Sequence, residues 1–315
     1  MRLETPGAGK LAVVFPGLGA HDQGMLDGLI QNRNFDEYYA IVSEAVGFSP
    51  LEAMERDPSL VNDHLLSNVL TVLASALSYS SFLEVESLRA DYFAGYSIGE
   101  YTALYAAGCF DFEELVCLIK ERATIIDEST KKTPGAMLGV VGIGLPAVES
   151  LVNEIQQQGL RIYVSNFNCA GQYSLSGTKD AIAEALARLA PLKPKRLLEL
   201  PVAGPRHCPL LAEAEVEIAK HFRKRDWKSP QVPVIDNVTG ELLPDDVDAI
   251  KEQVIKEVTS PVRWDAGIKT LVKLGCDRFV EVGYGNVLTK FGFFIDRHAE
   301  FSAYYGDQRV GAPPI

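Results

Sequence analysis

The stretch "DYFAGYSIGEYTALYAAG", residues 91 to 108, decides how the chain folds. It opens with a short apolar run that ends at Gly95, turns through Tyr96, Ser97, Ile98 and Gly99, and continues as a helical pattern closed by Gly108. Strand, tight turn and helix in that order form the layout of a nucleophile elbow. Small neighbours permit the sharp turn, and the first N–H groups of the helix point toward a reacting carbonyl. Ser97 therefore reads in one of two ways, as a nucleophile or as an ordinary serine in a strand-to-helix loop.

Toward the N-terminus, "LAVVFPG" (11 to 17) is a second apolar run, ending in Pro-Gly as an inner parallel strand does. Helical periodicity lies between the two runs, so an α/β sheet is expected, with ligands gathering at the carboxyl ends of its strands. The glycine-bearing turns at 17–19 and 95–99 both fall at such ends.

Toward the C-terminus the pattern changes over residues 132 to 203. "AMLGVVGIG" is strand-like, "LPAVESLVNEIQQQG" helical, "RIYVSNFN" and "GQYSLSG" strand-like, "TKDAIAEALARLA" helical with Thr178 as its N-cap, and "KRLLELPV" strand-like. This βαββαβ order predicts a small ferredoxin-like subdomain at 132–203, inserted into a large α/β-hydrolase-like domain with a parallel sheet at 1–131 and 204–315. The larger pattern resumes with "PVIDNVTG", helices near 245–258 and 264–274, the strand "DRFVEVG" and a last helix from about 286.

The 315 residues, 47 % hydrophobic and 23 % charged, suit a globular chain with a substantial core. A net charge of −12 argues against broad nucleic-acid binding, which needs a large basic surface. Five cysteines, at 109, 117, 169, 208 and 276, form no CxxC pair and cannot all be bridged, so a reducing compartment, the cytoplasm, is expected. The run "KLAVVFPGLGA" imitates a signal peptide, but Glu4 precedes it, Pro16 interrupts it and no cleavage site follows. No apolar stretch approaches the roughly 18 residues of a membrane span, so no membrane association is expected. The histidines and cysteines lack zinc-ligand spacing, and no metal is expected.

A nucleophilic serine needs a base, and the chain has histidines at 21, 64, 207, 221 and 298. His207 lies in the proline-flanked loop "PVAGPRHCPLL", where the chain leaves the small subdomain, and domain junctions are common sites of clefts. It is a candidate base or a structural loop histidine. Arg122 stands out for a different reason. In "DFEELVCLIKERATIID", Asp111 and Glu114 form a capping pair, the apolar stripe falls on Leu115, Leu118, Ile119 and Ile126, and position 122 lies in the middle of it. An arginine there must either stretch to the surface or meet an anion inside, a protein acid or a substrate carboxylate.

Together these segments resemble the malonyl-CoA:acyl carrier protein transacylases and the related acyltransferase domains of fatty acid and polyketide synthases. The resemblance is carried by "VVFPGLGAHDQGM", "GYSIGEYTALYAAG", Arg122 in "LIKERA", "GAMLGVVG", "NFNCAGQYSLSG", "PVAGPRHCPLL", "PVIDNVTG", "TSPVRW" and "DRFVEVGYGNVL", in matching order and spacing. It implies a ping-pong transfer in which Ser97 attacks the thioester of an acyl-CoA, malonyl-CoA foremost. His207 takes the proton, and the acyl group passes to the phosphopantetheine thiol of a holo acyl carrier protein, with no further cofactor. The resemblance also implies an oxyanion hole from the backbone amides of Leu18 and Ile98, and orientation of His207 by the main chain of Arg263. It assigns carboxylate binding to Arg122, with Tyr96, Arg206 and Asn168 beside the acyl group.

The sequence departs from the family at three of these positions. Leu18 replaces a glutamine, Tyr96 a histidine, and Arg206 a small or aromatic residue. The departures leave open hydrolysis of acyl chains from carriers, or transfer of a different acyl group, and a non-catalytic carrier-binding protein is a further alternative. An acidic carrier must meet a local basic patch, and Lys131, Lys132 and Arg206 near the cleft are the expected footprint, ahead of 193–196 and 223–228.

Overall fold

The computed structural model describes residues 9–86, 89–202, 204–306 and 308–310. Glu4, Ala203 and the outer limits of the expected large domain, 1–8 and 311–315, lie outside the described residues.

The first apolar run forms β1 (Lys10–Phe15), buried from Leu11 onward. Three helices follow: α1 (Phe35–Val46), α2 (Pro50–Arg56) and α3 (His64–Val85). Asp63 caps α3 by accepting from the Leu66 amide at 2.9 Å. Contrary to the expectation from sequence, α3 is long and apolar enough to cross a membrane by length and composition, but 78 % of its most apolar window is buried inside the fold. Its all-round apolarity serves the core, where it packs against neighbouring helices and the sheet.

The opening stretch becomes β2 (Tyr92–Gly95) and α4 (Gly99–Ala106), and Gly108 adopts a left-handed φ of 84° just after the helix. β1 and β2 pair in parallel with Phe15 opposite Gly95, which sets the turns after both strands side by side. Next comes α5 (Phe112–Lys132), capped by Asp111, which accepts from the Glu114 amide at 2.9 Å. Glu114 does not return that bond; its carboxylate meets Arg225 at 3.2 Å.

A separate antiparallel sheet then forms from β3 (Gly135–Val141), β4 (Ile162–Cys169), β5 (Gln172–Thr178) and β6 (Arg196–Glu199), in the order β4-β5-β3-β6. Helices α6 (Leu145–Gln157) and α7 (Lys179–Leu189) complete it, and together they bury a core of their own around Leu138, Ile155, Ile162 and Leu175. Thr178 stands at the N-cap of α7, but its side chain does not cap; the carboxylate of Asp180 takes the Ala181 amide at 2.9 Å.

The chain returns through α8 (Ala212–Phe222), α9 (Val247–Lys256), α10 (Trp264–Lys273), β7 (Cys276–Val282) and α11 (Val287–Ile295). Two strands unread in the sequence, β8 (Glu300–Tyr305) and β9 (Gln308–Val310), extend the first sheet to the order β2-β1-β7-β8-β9. All its pairs are parallel except β8 with β9. "PVIDNVTG" makes only single bridges, Val234 to Phe93 and Ile235 to Leu242. Just before α10, the Val262 amide donates to Ser165 O and its carbonyl accepts from Phe167, stitching the segment to β4 and closing the two sheets around a cleft.

Candidate active site

The turn after β2 is forced by its glycines. A Cβ on Gly99 would lie 2.3 Å from Phe15 O, and one on Gly95 would lie 2.0 Å from the carbonyl carbon of Gly99. Ser97 takes a left-handed φ of 54°, costly for a residue with a side chain, and this aims its hydroxyl out of the turn. Asn237 holds the turn. Its Oδ1 accepts from the Ser97 amide at 3.0 Å, and its Nδ2 donates to Gly95 O at 2.7 Å. Its own backbone amide donates to Glu100 Oε1 at 2.8 Å.

His207 reaches the same point from the return of the chain, also at a φ of 54°. Ser97 Oγ and His207 Nε2 are 2.8 Å apart, and His207 Nδ1 lies 3.2 Å from the backbone oxygen of Glu257. A carbonyl can only accept, so Nδ1 carries the proton and Nε2 presents its lone pair to the serine hydroxyl. Burial pushes the imidazole pKa below its ordinary 6.5; Glu257 raises it, and the Arg122 and Arg206 charges push it down further. The ring is therefore a neutral base at neutral pH.

The two residues border a cavity of about 90 Å³. Leu18 and Ile98 line it at the two glycine turns, and neither backbone amide is engaged by another described group. Two free donors beside a nucleophile can bind a developing oxyanion. Tyr96, Met137, Leu200 and Val202 give the cavity apolar wall. At its inner end Arg122, 3 % exposed, sets Nη2 3.0 Å from Glu257 Oε2 and lies over the Tyr101 ring.

The family model described as "Acyl transferase domain" matches residues 12–292. The chain belongs to the acyl transferase domain family. The transferase is 30 % identical over 285 residues to the malonyl CoA-acyl carrier protein transacylase of Staphylococcus aureus (strain MW2), covering 89 % of this chain and 90 % of that protein. The corresponding enzyme of Bacillus subtilis (strain 168) is 29 % identical over 285 residues, covering 89 % and 88 %. Among solved structures, a malonyl-transacylase in complex with its type II PKS acyl-carrier protein superposes with a TM-score of 0.87 at 28 % identity, over 93 % of this chain and 95 % of that one. The malonyl-CoA:acyl carrier protein transacylase of Xanthomonas oryzae pv. oryzae KACC10331 gives a TM-score of 0.87 at 28 % identity, over 93 % and 94 %.

Within the transferase, Ser97, His207, Leu18, Ile98, Tyr96, Arg122 and Arg206 all border one cavity. Three positions differ from expectation. Arg263 does not orient His207: its carbonyl accepts from the Gly267 amide at 3.0 Å in the first turn of α10, and Glu257 supplies the oxygen instead. Asn168 is not on the cavity wall; its Oδ1 accepts from the Tyr96 hydroxyl at 2.7 Å, while Asn166 faces the cavity. Arg206 is only 6 % exposed and so cannot belong to a carrier footprint on the surface.

Sequence reasoning missed Glu257, Asn237, Asn166 and His64, the last of which lines the cavity with Nδ1 2.7 Å from Asp127 Oδ1. Glu257 carried a readable signal. It follows the apolar stripe of α9 at Ile250, Val254 and Ile255, and the logic that singled out Arg122 applies to an acid there.

Proposed function

We propose that the transferase moves a malonyl-type acyl group from acyl-CoA to the phosphopantetheine thiol of a holo acyl carrier protein through an acyl-Ser97 intermediate. The observation that carries this reading is the 2.8 Å contact between Ser97 Oγ and His207 Nε2 on the wall of a small, partly open cavity. The names of the relatives, malonyl CoA-acyl carrier protein transacylases, support the substrate pair.

In the first half-reaction His207 Nε2 takes the hydroxyl proton as Oγ forms its bond to the thioester carbonyl carbon. The carbonyl oxygen gains negative charge opposite the amides of Leu18 and Ile98. The C–S bond then breaks, and the departing CoA sulfur receives the proton from His207. In the second half the carrier thiol gives its proton to His207, its sulfur attacks the acyl-serine, and Oγ leaves with that proton. The chain itself supplies every group these steps use, and no cofactor is required. The cavity is smaller than the roughly 150 Å³ that holds benzene in a protein core, which favours a short acyl group. A groove of about 430 Å³, between α6, β4 and the Thr259–Pro261 segment, also reaches His207 and suits the pantetheine arm. Lys131 and Lys132, at the exposed end of α5, remain the proposed carrier footprint.

We further read the antiparallel unit as a ferredoxin-like insertion at 132–203 in an α/β-hydrolase-like domain, supported by its strand order. A cytoplasmic location is supported by five free thiols, four of them buried.

Intact-mass measurement after incubation with malonyl-CoA tests the reaction. One malonyl adduct on the native chain, none on Ser97→Ala, and its discharge onto holo carrier are expected. Release of free acid at the same rate without carrier would assign hydrolysis instead.

A further inference from the structure

Each half-reaction turns His207 from a neutral ring into an imidazolium. The ring is only 5 % exposed, so water cannot solvate the new charge. Two guanidinium groups, Arg122 from α5 and Arg206 from the adjoining position, already act on it and disfavour a third positive charge. The backbone oxygen of Glu257 at 3.2 Å fixes the tautomer, but a carbonyl is a dipole without net charge. A main-chain oxygen is also the only partner that the family resemblance gives this histidine.

The side chain of the same residue has what its main chain lacks. Glu257 Oε1 lies 3.2 Å from His207 Nδ1, as close as the backbone oxygen that takes the N–H. Glu257 is fully buried, and its Oε1 accepts no hydrogen bond from any described group. Its other oxygen, Oε2, accepts from Arg122 Nη2 at 3.0 Å. The arginine charge thus meets one oxygen, and the second stands beside the ring. The remaining ionisable neighbours leave that role to Glu257. Glu100 and Tyr101 of α4 are both buried, which pushes the Glu100 carboxyl well above its ordinary range and weakens it as an anion, and keeps the Tyr101 phenol neutral. Asp236 is engaged by the Val238 amide and by Thr239, and His64, paired with Asp127, faces the two arginines.

We propose that the Glu257 carboxylate is a positioning residue for His207, the counter-charge of the imidazolium formed in each half-reaction, while its own main chain holds the tautomer. This rests on the acyl-serine reading above. The proton passes between Ser97 Oγ, His207 Nε2 and the thiol sulfur as already described, and the carboxylate takes none. In a serine triad one acid both fixes the tautomer and stabilises the imidazolium. Here the two tasks fall to two groups of one residue, so removing the carboxylate forfeits only the second.

The test is Glu257→Gln in the full-length chain, which keeps the main-chain oxygen and the side-chain shape. On the pH-independent plateau, kcat/KM for Ser97 acylation by malonyl-CoA is expected to fall about 10- to 100-fold, less than loss of a triad acid because the tautomer survives. The midpoint of the acid limb is expected to move down by about one pH unit, because losing an anion makes the imidazolium harder to form. Histidine-selective NMR titration, with the His207 signal assigned by its absence in His207→Ala, reads the same shift without turnover. Where Glu257→Gln alone does not fold, Arg122→Met with Glu257→Gln removes both buried charges. The His207 midpoint should still lie below the native one, because the carboxylate acts on the ring more strongly than the arginine does. An unmoved or raised midpoint in the variant that folds, with or without a lower rate, overturns the proposal while the acyl-serine stands. No adduct on the native chain overturns the acyl-serine reading and this proposal with it.

Discussion

Asn237 braces Ser97 across 140 positions of sequence, accepting its amide at 3.0 Å while donating to Gly95 on the strand that leads into the turn. Asn237→Ala orphans a part-buried donor and a buried acceptor together, at up to about 1–3 kcal/mol each. A lower unfolding temperature and a Ser97 acylation rate down about 10- to 100-fold are expected. A normal rate would show that the glycines alone fix the bend.

Arg122→Ala should destabilise the fold as well as impair the reaction, because it strands Glu257 as an unpaired buried carboxylate. The loss is expected at about 3–5 kcal/mol. Denaturant unfolding measures it, and Arg122→Met combined with Glu257→Gln should recover a large part. An unchanged midpoint for Arg122→Ala would contradict the ion pair.

The neutral imidazole sets the pH behaviour. His207 acts unprotonated, and its folded-state pKa is depressed below 6.5 by burial. The acid limb of kcat/KM for acylation should therefore have its midpoint below 6.5. In the unfolded chain the same ring takes up its proton first, so stability should also decline as pH falls from 6.5 toward the depressed value. An acid limb at or above 6.5 would show that the ring is not held neutral by its surroundings.

Tyr96 and Asn168 share one hydrogen bond of 2.7 Å, and the Tyr96 ring stands edge-on to Trp264. Tyr96→Phe and Asn168→Ala should each weaken the fold modestly. Their double variant should be less destabilised than the sum, by about 0.5–1.5 kcal/mol. Strict additivity would place Asn168 in some other role.

Much of this site is legible in the chain because its parts are local. Gly95, Ser97 and Gly99 announce a bend within five positions, and the stripe of α5 shows Arg122 facing inward without any knowledge of its neighbours. Glu257, Asn237 and His64 were harder because they act across the fold. Nothing near Asn237 in sequence shows that its amide will face a turn 140 positions away. Arg263 was misjudged on a finer point: whether a carbonyl is free depends on where α10 begins, and helix boundaries are weakly encoded. The same weakness hid β8, whose run "EFSAYY" has too little alternation to separate it from a loop.

Both partners of the proton relay, Ser97 and His207, occupy the left-handed region at φ 54°. Glycine would rest there at ease, so the inert Ser97→Gly chain should melt above Ser97→Ala. Mutational drift toward a sturdier molecule thus runs downhill into silence, and only continued demand for turnover keeps these two side chains on so uncomfortable a perch.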